Sequence, residues 1–122
     1  MEAHYKACLH AGIYVVGTKA EDLPGQWEFQ LGALPGLEAA DQMWVARYIL
    51  CRIAEDMGLA ISFNPKPVPG TWSGAACHAN FSTKKMREEG GYEFIEQALD
   101  KLKKRHDEHL EVFKFVVNCV LI

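Results

Sequence analysis

Five residues of this chain have side chains whose chemistry could act together: Glu21, Glu28, His78, Asn80 and Ser82. Two carboxylates, an imidazole, an amide and a hydroxyl form a donor set for a divalent cation and for phosphate oxygens. The carboxylates suit Mg²⁺ or Mn²⁺, and the imidazole tilts the choice toward the softer ion. Three protein ligands do not fill an octahedral shell, so water, a substrate phosphate or residues from outside this chain must complete it. A plainer reading fits the same residues, because polar side chains on the open faces of half-buried strands are common.

Two stretches must position these groups. In Pro24-Gly-Gln-Trp-Glu-Phe-Gln-Leu-Gly32 the side chains alternate, with Trp27, Phe29 and Leu31 on one face and Gln26, Glu28 and Gln30 on the other. Cys77-His-Ala-Asn-Phe-Ser82 repeats the design, with Cys77, Ala79 and Phe81 apolar and His78, Asn80 and Ser82 polar. If the two polar faces are neighbours, acid and imidazole share a wall.

The rest of the chain supplies the frame. Residues 2–11 read as a short helix stopped by Gly12, followed by a strand at Ile13–Val16 and a polar connection over Thr18–Gly25. A long helix is expected over Glu38–Met57. Its stripe of Met43, Ala46, Leu50, Ile53 and Met57 is widened by Trp44, Tyr48 and Cys51, which implies burial on more than one side. Gly58 fits the position just past its end. Leu59–Phe63 reads as a strand. Pro65, Pro67 and Pro69 then stiffen an extended loop that enters Thr71–Ala75. Thr83 caps a short helix reaching Glu88, and a second helix runs over Tyr92–Leu110 with Ile95, Leu99 and Leu102 inward. Lys101, Lys103, Lys104 and Arg105 read as a solvated helix face. His106 and His109 are one turn apart without a third ligand, and read as solvated too. The apolar end, Val112–Ile122, suits either a buried strand or an aggregation-prone terminus.

Composition narrows the function classes. A chain of 122 residues suits one domain, and a net charge of −3 gives no field that favours nucleic acid or an anionic membrane. Cys8, Cys51, Cys77 and Cys119 are scattered with no Cys-x-x-Cys, which argues against a zinc ribbon or a disulfide scaffold; buried free thiols in a reducing compartment are expected. The N-terminus is not a signal peptide, and no apolar run approaches the roughly 20 residues of a membrane span. A cytoplasmic protein is the expectation.

The runs Gly17-Thr-Lys-Ala-Glu21, Gln26-Trp-Glu-Phe-Gln30, Pro65-Lys-Pro-Val-Pro-Gly70, Cys77-His-Ala-Asn-Phe-Ser-Thr-Lys84 and Met86-Arg-Glu88 resemble glutamine synthetase of the eukaryotic type, without gaps from about Glu2 to Leu110. The resemblance implies a partial catalytic domain over 1–110, of α/β (α+β) class, with a curved, mostly antiparallel sheet packed by two long helices; 111–122 would be a divergent apolar tail. It implies ATP-dependent ligation of ammonia to glutamate through γ-glutamyl phosphate, with Mg²⁺ or Mn²⁺, in a homo-oligomer. Glu21 and Glu28 stand where the family has two ligands of one catalytic ion, and His78 where it has the imidazole ligand of a second. Glu28, Phe29, Gln30, Leu31, Gly32 and Ala33, with Asn80, Phe81 and Ser82, fall on nucleotide-contacting segments. Thr71, Trp72, Ser73 and Gly74 fall on the loop that receives glutamate. No residue here is expected to act as a nucleophile, since Glu28 and His78 would supply an electrostatic frame.

Two departures bear on these expectations. The family's glutamate loop usually reads Gly-Asn-Trp-Asn-Gly-Ala-Gly-Cys-His, whereas this chain has Gly70-Thr-Trp-Ser-Gly-Ala-Ala-Cys-His78. Thr71 and Ser73 cannot reproduce a donor-plus-acceptor amide, and Ala76 would be strained if its position required positive φ. The family's N-terminal β-domain, an upstream pair of metal-binding glutamates, and downstream arginines with another ligand glutamate have no counterpart in these residues. A truncated product, inactive and poorly soluble alone, or a fragment that binds metal weakly or packs on intact subunits, is the expectation.

Overall fold

A computed structural model describes residues 1–71 and 74–119, with side chains through Val112. Trp72, Ser73 and the last three residues of the apolar end lie outside the described residues. The chain divides into two units, residues 1–62 with 66–71 and residues 63–65 with 74–119.

The first unit begins with α1 (Glu2–His10), which ends at Gly12 in the left-handed region, φ 76°. An antiparallel hairpin follows, β1 (Val15–Ala20) and β2 (Trp27–Leu31). Its connection closes on a type II turn: Pro24 takes the second position, Gly25 the third at φ 81°, and Gln26 N donates to Leu23 O at 3.1 Å. Only glycine takes that φ without cost. Then α2 (Gly36–Asp56) runs to Met57, and Gly58 lies beyond it at φ 67°.

β1 corrects the sequence reading. The strand starts at Val15 rather than Ile13 and takes in Thr18, Lys19 and Ala20 of the expected polar connection. A β-bulge between Val15 and Gly17 explains the missed pattern: Val15 pairs with Leu31, whereas Gly17 pairs with Gln30 and Lys19 with Glu28. The extra residue flips the alternation. Val15 therefore faces the core with Phe29 and Leu31, while Lys19 and Glu21 face away with Glu28.

The core of this unit is small: Cys8, Ile13, Val15 and Ala46, with Tyr5, Phe29, Leu31 and Ile49 packed around them. His4 is fully buried among them. Its Nε2 lies 3.0 Å from Ala46 O and 3.2 Å from Cys8 Sγ, and its ring meets Phe29 edge-on at 4.9 Å. A carbonyl can only accept, so Nε2 carries the proton and Nδ1 is left buried without a partner. One imidazole thus ties α1 to α2 and to the hairpin, with a net hydrogen-bond contribution of about 1 kcal/mol. Gln42 adds a second tie by accepting from Tyr14 N at 2.7 Å.

α2 is not buried on several sides. Ala46 and Ala54 are buried, but Trp44 and Tyr48 are 66% and 65% exposed. The short α1 and a two-stranded hairpin are what α2 packs against here, and they cover one face.

In the second unit, α3 (Tyr92–Lys104) and α4 (His106–Cys119) replace the single expected helix. The charges on either side of Arg105 suit a break there. Lys101, Lys103 and Lys104 favour the C-terminal end of one helix, and Asp107 and Glu108 favour the N-terminal start of another. Arg105 clasps Glu108 Oε2 through Nε and Nη2 at 3.0 and 2.7 Å. The apolar end is helical through Cys119, not a strand. Thr83 Oγ1 accepts from Met86 N at 3.4 Å as a cap should, but only a single 3₁₀ turn, Lys85–Arg87, follows.

Leu59–Phe63 and Cys77–Ser82 form no strands; among the described residues the hairpin is the sole sheet. An extended segment becomes a strand only when its backbone groups find a ladder partner, and alternation alone does not supply one. The α+β class and the antiparallel pairing agree with expectation. Of the cysteines with described side chains, Cys8 is buried, whereas Cys51 and Cys77 are exposed, contrary to expectation.

Burial, partly offset by the bond to Ala46, lowers the His4 pKa from its ordinary 6.5. The unfolded chain then binds the proton first, so His4 favours folding fully above pH ~6.5 and this contribution is lost as pH falls below that value. Denaturation followed by tryptophan fluorescence should show a midpoint that drops between pH 7 and pH 5, and His4→Gln should flatten that drop. Ala46→Leu, at the fully buried α1–α2 contact, should cost about 1–3 kcal/mol in the same experiment.

Candidate functional site

The hairpin builds the acidic part of the site. Lys19 stands directly across from Glu28, and Glu21 N donates to Gln26 O at 3.0 Å, which continues the pairing by one step. Glu21 and Glu28 therefore lie on one face as a diagonal pair, roughly 7–8 Å apart at the backbone. Both are half-buried. Glu28 Oε1 accepts from Gln30 Nε2 at 2.8 Å. Glu21 Oε1 is closed off from solvent and makes no well-aligned hydrogen bond; Lys19 Nζ, 3.0 Å away, is the charge that faces it. Contact with Glu21 first, and then the charge of Glu28, raises the Lys19 pKa above the ordinary lysine value.

The rest of the β2 stretch divides by face. Phe29 and Leu31 pack against the core, leaving Glu28 and Gln30 as outward side chains. At Gly32 the Tyr14 ring occupies the place of a side chain, since a Cβ there would meet it at 2.1 Å, and Gly32 N donates to Tyr14 O at 2.9 Å. Ala33 is exposed just beyond.

The remaining expected site residues come from another part of the chain. Thr71 is exposed in the first unit, and Trp72 and Ser73 are outside the described residues. Gly74 begins the second unit's share, where Ala75 N donates to Pro65 O at 2.6 Å and fixes the loop against the proline-rich segment. Ala76 does not have positive φ, so the strain considered for it does not arise. His78, Asn80 and Ser82 are exposed, and so is Phe81, at 77%. Ser82 is engaged, because Arg87 Nη1 donates to its Oγ at 2.7 Å and to its carbonyl at 3.0 Å.

Glu21 and Glu28 thus belong to one unit and His78 to the other. Among the described residues, no three His, Cys, Asp or Glu side chains gather around one point. The structure brings together two carboxylates and a lysine. Sequence reading passed over Lys19: its place two residues before Glu21 is a signal only where residues 15–20 are strand, and its place across from Glu28 follows from the pairing register. His106 and His109 line an open hollow of about 620 Å³ with Leu99, Leu102, Lys103 and Leu110, and His109 is half-buried rather than solvated.

The carboxylate pair fits a hard divalent cation in donor chemistry. Its oxygens are anionic and share a face, and one of them already takes a cation, the Lys19 ammonium.

The family described as glutamine synthetase, catalytic domain, matches residues 1–103. Similar curated proteins include glutamine synthetase of Gallus gallus, 56% identical over 113 residues, which cover 93% of this chain and 30% of that protein. Glutamine synthetase of Agaricus bisporus and glutamine synthetase cytosolic isozyme 1-1 of Arabidopsis thaliana are each 58% identical over 113 residues, covering 93% of this chain and 32% of theirs. The chain spans about a third of the length of the relatives it matches. No helix among the described residues is long and apolar enough to cross a membrane.

The exposure of residues 77–82 can be checked directly. In the native chain, Cys77 and Cys51 should alkylate at the rate of a free thiol, while Cys8 should be protected at least tenfold, as resolved by peptide mass mapping.

Proposed function

The chain belongs to the glutamine synthetase catalytic-domain family, and on that premise we propose that it is a segment of such a domain which contributes metal, nucleotide and glutamate contacts to ATP-dependent ligation of ammonia to glutamate. The placement of Glu21 and Glu28 on one face of the hairpin is the observation that carries this reading.

A carboxylate resists attack by an amine, so glutamate must first become an acyl phosphate, γ-glutamyl phosphate, from which ammonia displaces phosphate. When bound, Mg²⁺ or Mn²⁺ neutralises phosphate oxygens and the charge that develops in phosphoryl transfer. In the proposed roles, Glu21 and Glu28 hold one cation and His78 contributes to a second. The backbone from Glu28 to Ala33 and the segment Asn80–Ser82 contact ATP. Gly74 and the residues from Thr71 receive glutamate. The proposed setting is a cytoplasmic homo-oligomer, with 111–122 a divergent tail. None of these groups is a nucleophile; each holds or orients charge.

A second reading has the chain act without turnover, by packing on intact subunits. The outward Leu37, Trp44 and Tyr48 of α2 favour it.

A γ-glutamyl transfer assay with Mn²⁺ and ADP tests the first reading. The isolated chain is predicted to turn over below detection, because phosphoryl transfer needs more positioned positive charge than these residues hold. Mn²⁺ at ten times its Kd should still stabilise the fold by about 1.4 kcal/mol, and Glu21→Gln with Glu28→Gln should abolish that gain. Stabilisation indifferent to both substitutions would contradict the assigned ligands. Turnover abolished by His78→Ala would instead establish that the chain is active alone.

A further inference from the structure

We propose that Lys19 is a tethered competitor for the divalent cation: its ammonium pairs with Glu21, offsets one of the two charges of the Glu21–Glu28 pair, and must swing aside before both carboxylates reach one ion. The proposal rests on the reading of Glu21 and Glu28 as metal ligands.

Lys19 Nζ is 3.0 Å from Glu21 Oε1, the carboxylate oxygen that is closed off from solvent. The pairing register sets Lys19 directly opposite Glu28, so all three side chains share a face. The lysine side chain is 60% exposed, so it has solvent to swing into. A lysine is a point charge on a flexible four-carbon stem, suited to occupying a cation's place reversibly. Its departure leaves two negative charges to the incoming ion, while its presence repels a divalent cation at close range.

The consequence is a raised threshold concentration for the metal. A neutral residue at position 19 removes the competitor and leaves the carboxylates in place. Because the site opens to water and salt, the gain is modest, roughly three- to tenfold.

The experiment is isothermal titration of the full chain with MnCl₂ at fixed pH and ionic strength. Lys19→Gln should tighten Mn²⁺ binding roughly three- to tenfold, and Lys19→Arg, which keeps the charge, should bind as the native chain does. Glu28→Gln placed on Lys19→Gln should lose the gain and weaken binding below native. If Glu28→Gln weakens binding while Lys19→Gln and Lys19→Arg both match the native chain, the competitor role is overturned and the ligand assignment stands. If Glu28→Gln leaves Mn²⁺ binding unchanged, the ligand assignment fails and the competitor role with it. Unchanged far-UV circular dichroism in each variant keeps a loss of fold from imitating either result.

Discussion

The extra residue between Val15 and Gly17 is the constraint on which the candidate site depends. Side chains alternate across a strand, so without a bulge Val15, Lys19 and Glu21 would share one face. Val15 is needed in the core, where it is buried beside Leu31. An unbroken strand would therefore carry Lys19 and Glu21 to the core side, away from Glu28. The bulge satisfies both demands at once, with an apolar anchor on one face and an acidic pair on the other. The type II turn at Leu23–Gln26 then holds the two strands in that register.

The hairpin is kept in place by few contacts. The cluster around Cys8, Ile13, Val15 and Ala46 is small, and a buried histidine with one nitrogen unsatisfied sits at its centre. The unpartnered nitrogen costs free energy, against which the bond to Ala46 and the edge contact with Phe29 act. Folding has marginal stability to spare, so a few kcal/mol at His4 or Ala46 are a large share of it. The outward apolar residues of α2 belong to the same picture, in a segment about a third as long as its relatives.

Much of the fold was legible in residues. The stripe over Glu38–Met57 located α2 to within two residues at its start and one at its end, and Gly12 and Gly58 marked helix ends because each takes positive φ there. The strand assignments failed where alternation had no partner to act on. Cys77–Ser82 alternates as well as Trp27–Leu31 does, but only the latter meets a second strand. The helix break at Arg105 was readable in the charges, since a basic run followed by Asp107-Glu108 marks an end and a start together; apolar spacing alone ran through it. At the candidate site, Glu21 and Glu28 stand out by residue type. Lys19 was missed because its face depends on a bulge that no local pattern announces.

The hairpin presents two carboxylates, one of them already paired with a cation of the chain's own. A paramagnetic titration tests most directly whether these carboxylates are metal ligands. Substoichiometric Mn²⁺ is added to the ¹⁵N-labelled chain, and amide signals are followed for broadening. If these carboxylates are ligands, Lys19, Ala20, Glu21 and Glu28 should broaden together, ahead of the rest of the first unit. Sharp signals at those four residues, with broadening confined to other acidic or histidine-bearing segments, would contradict that assignment.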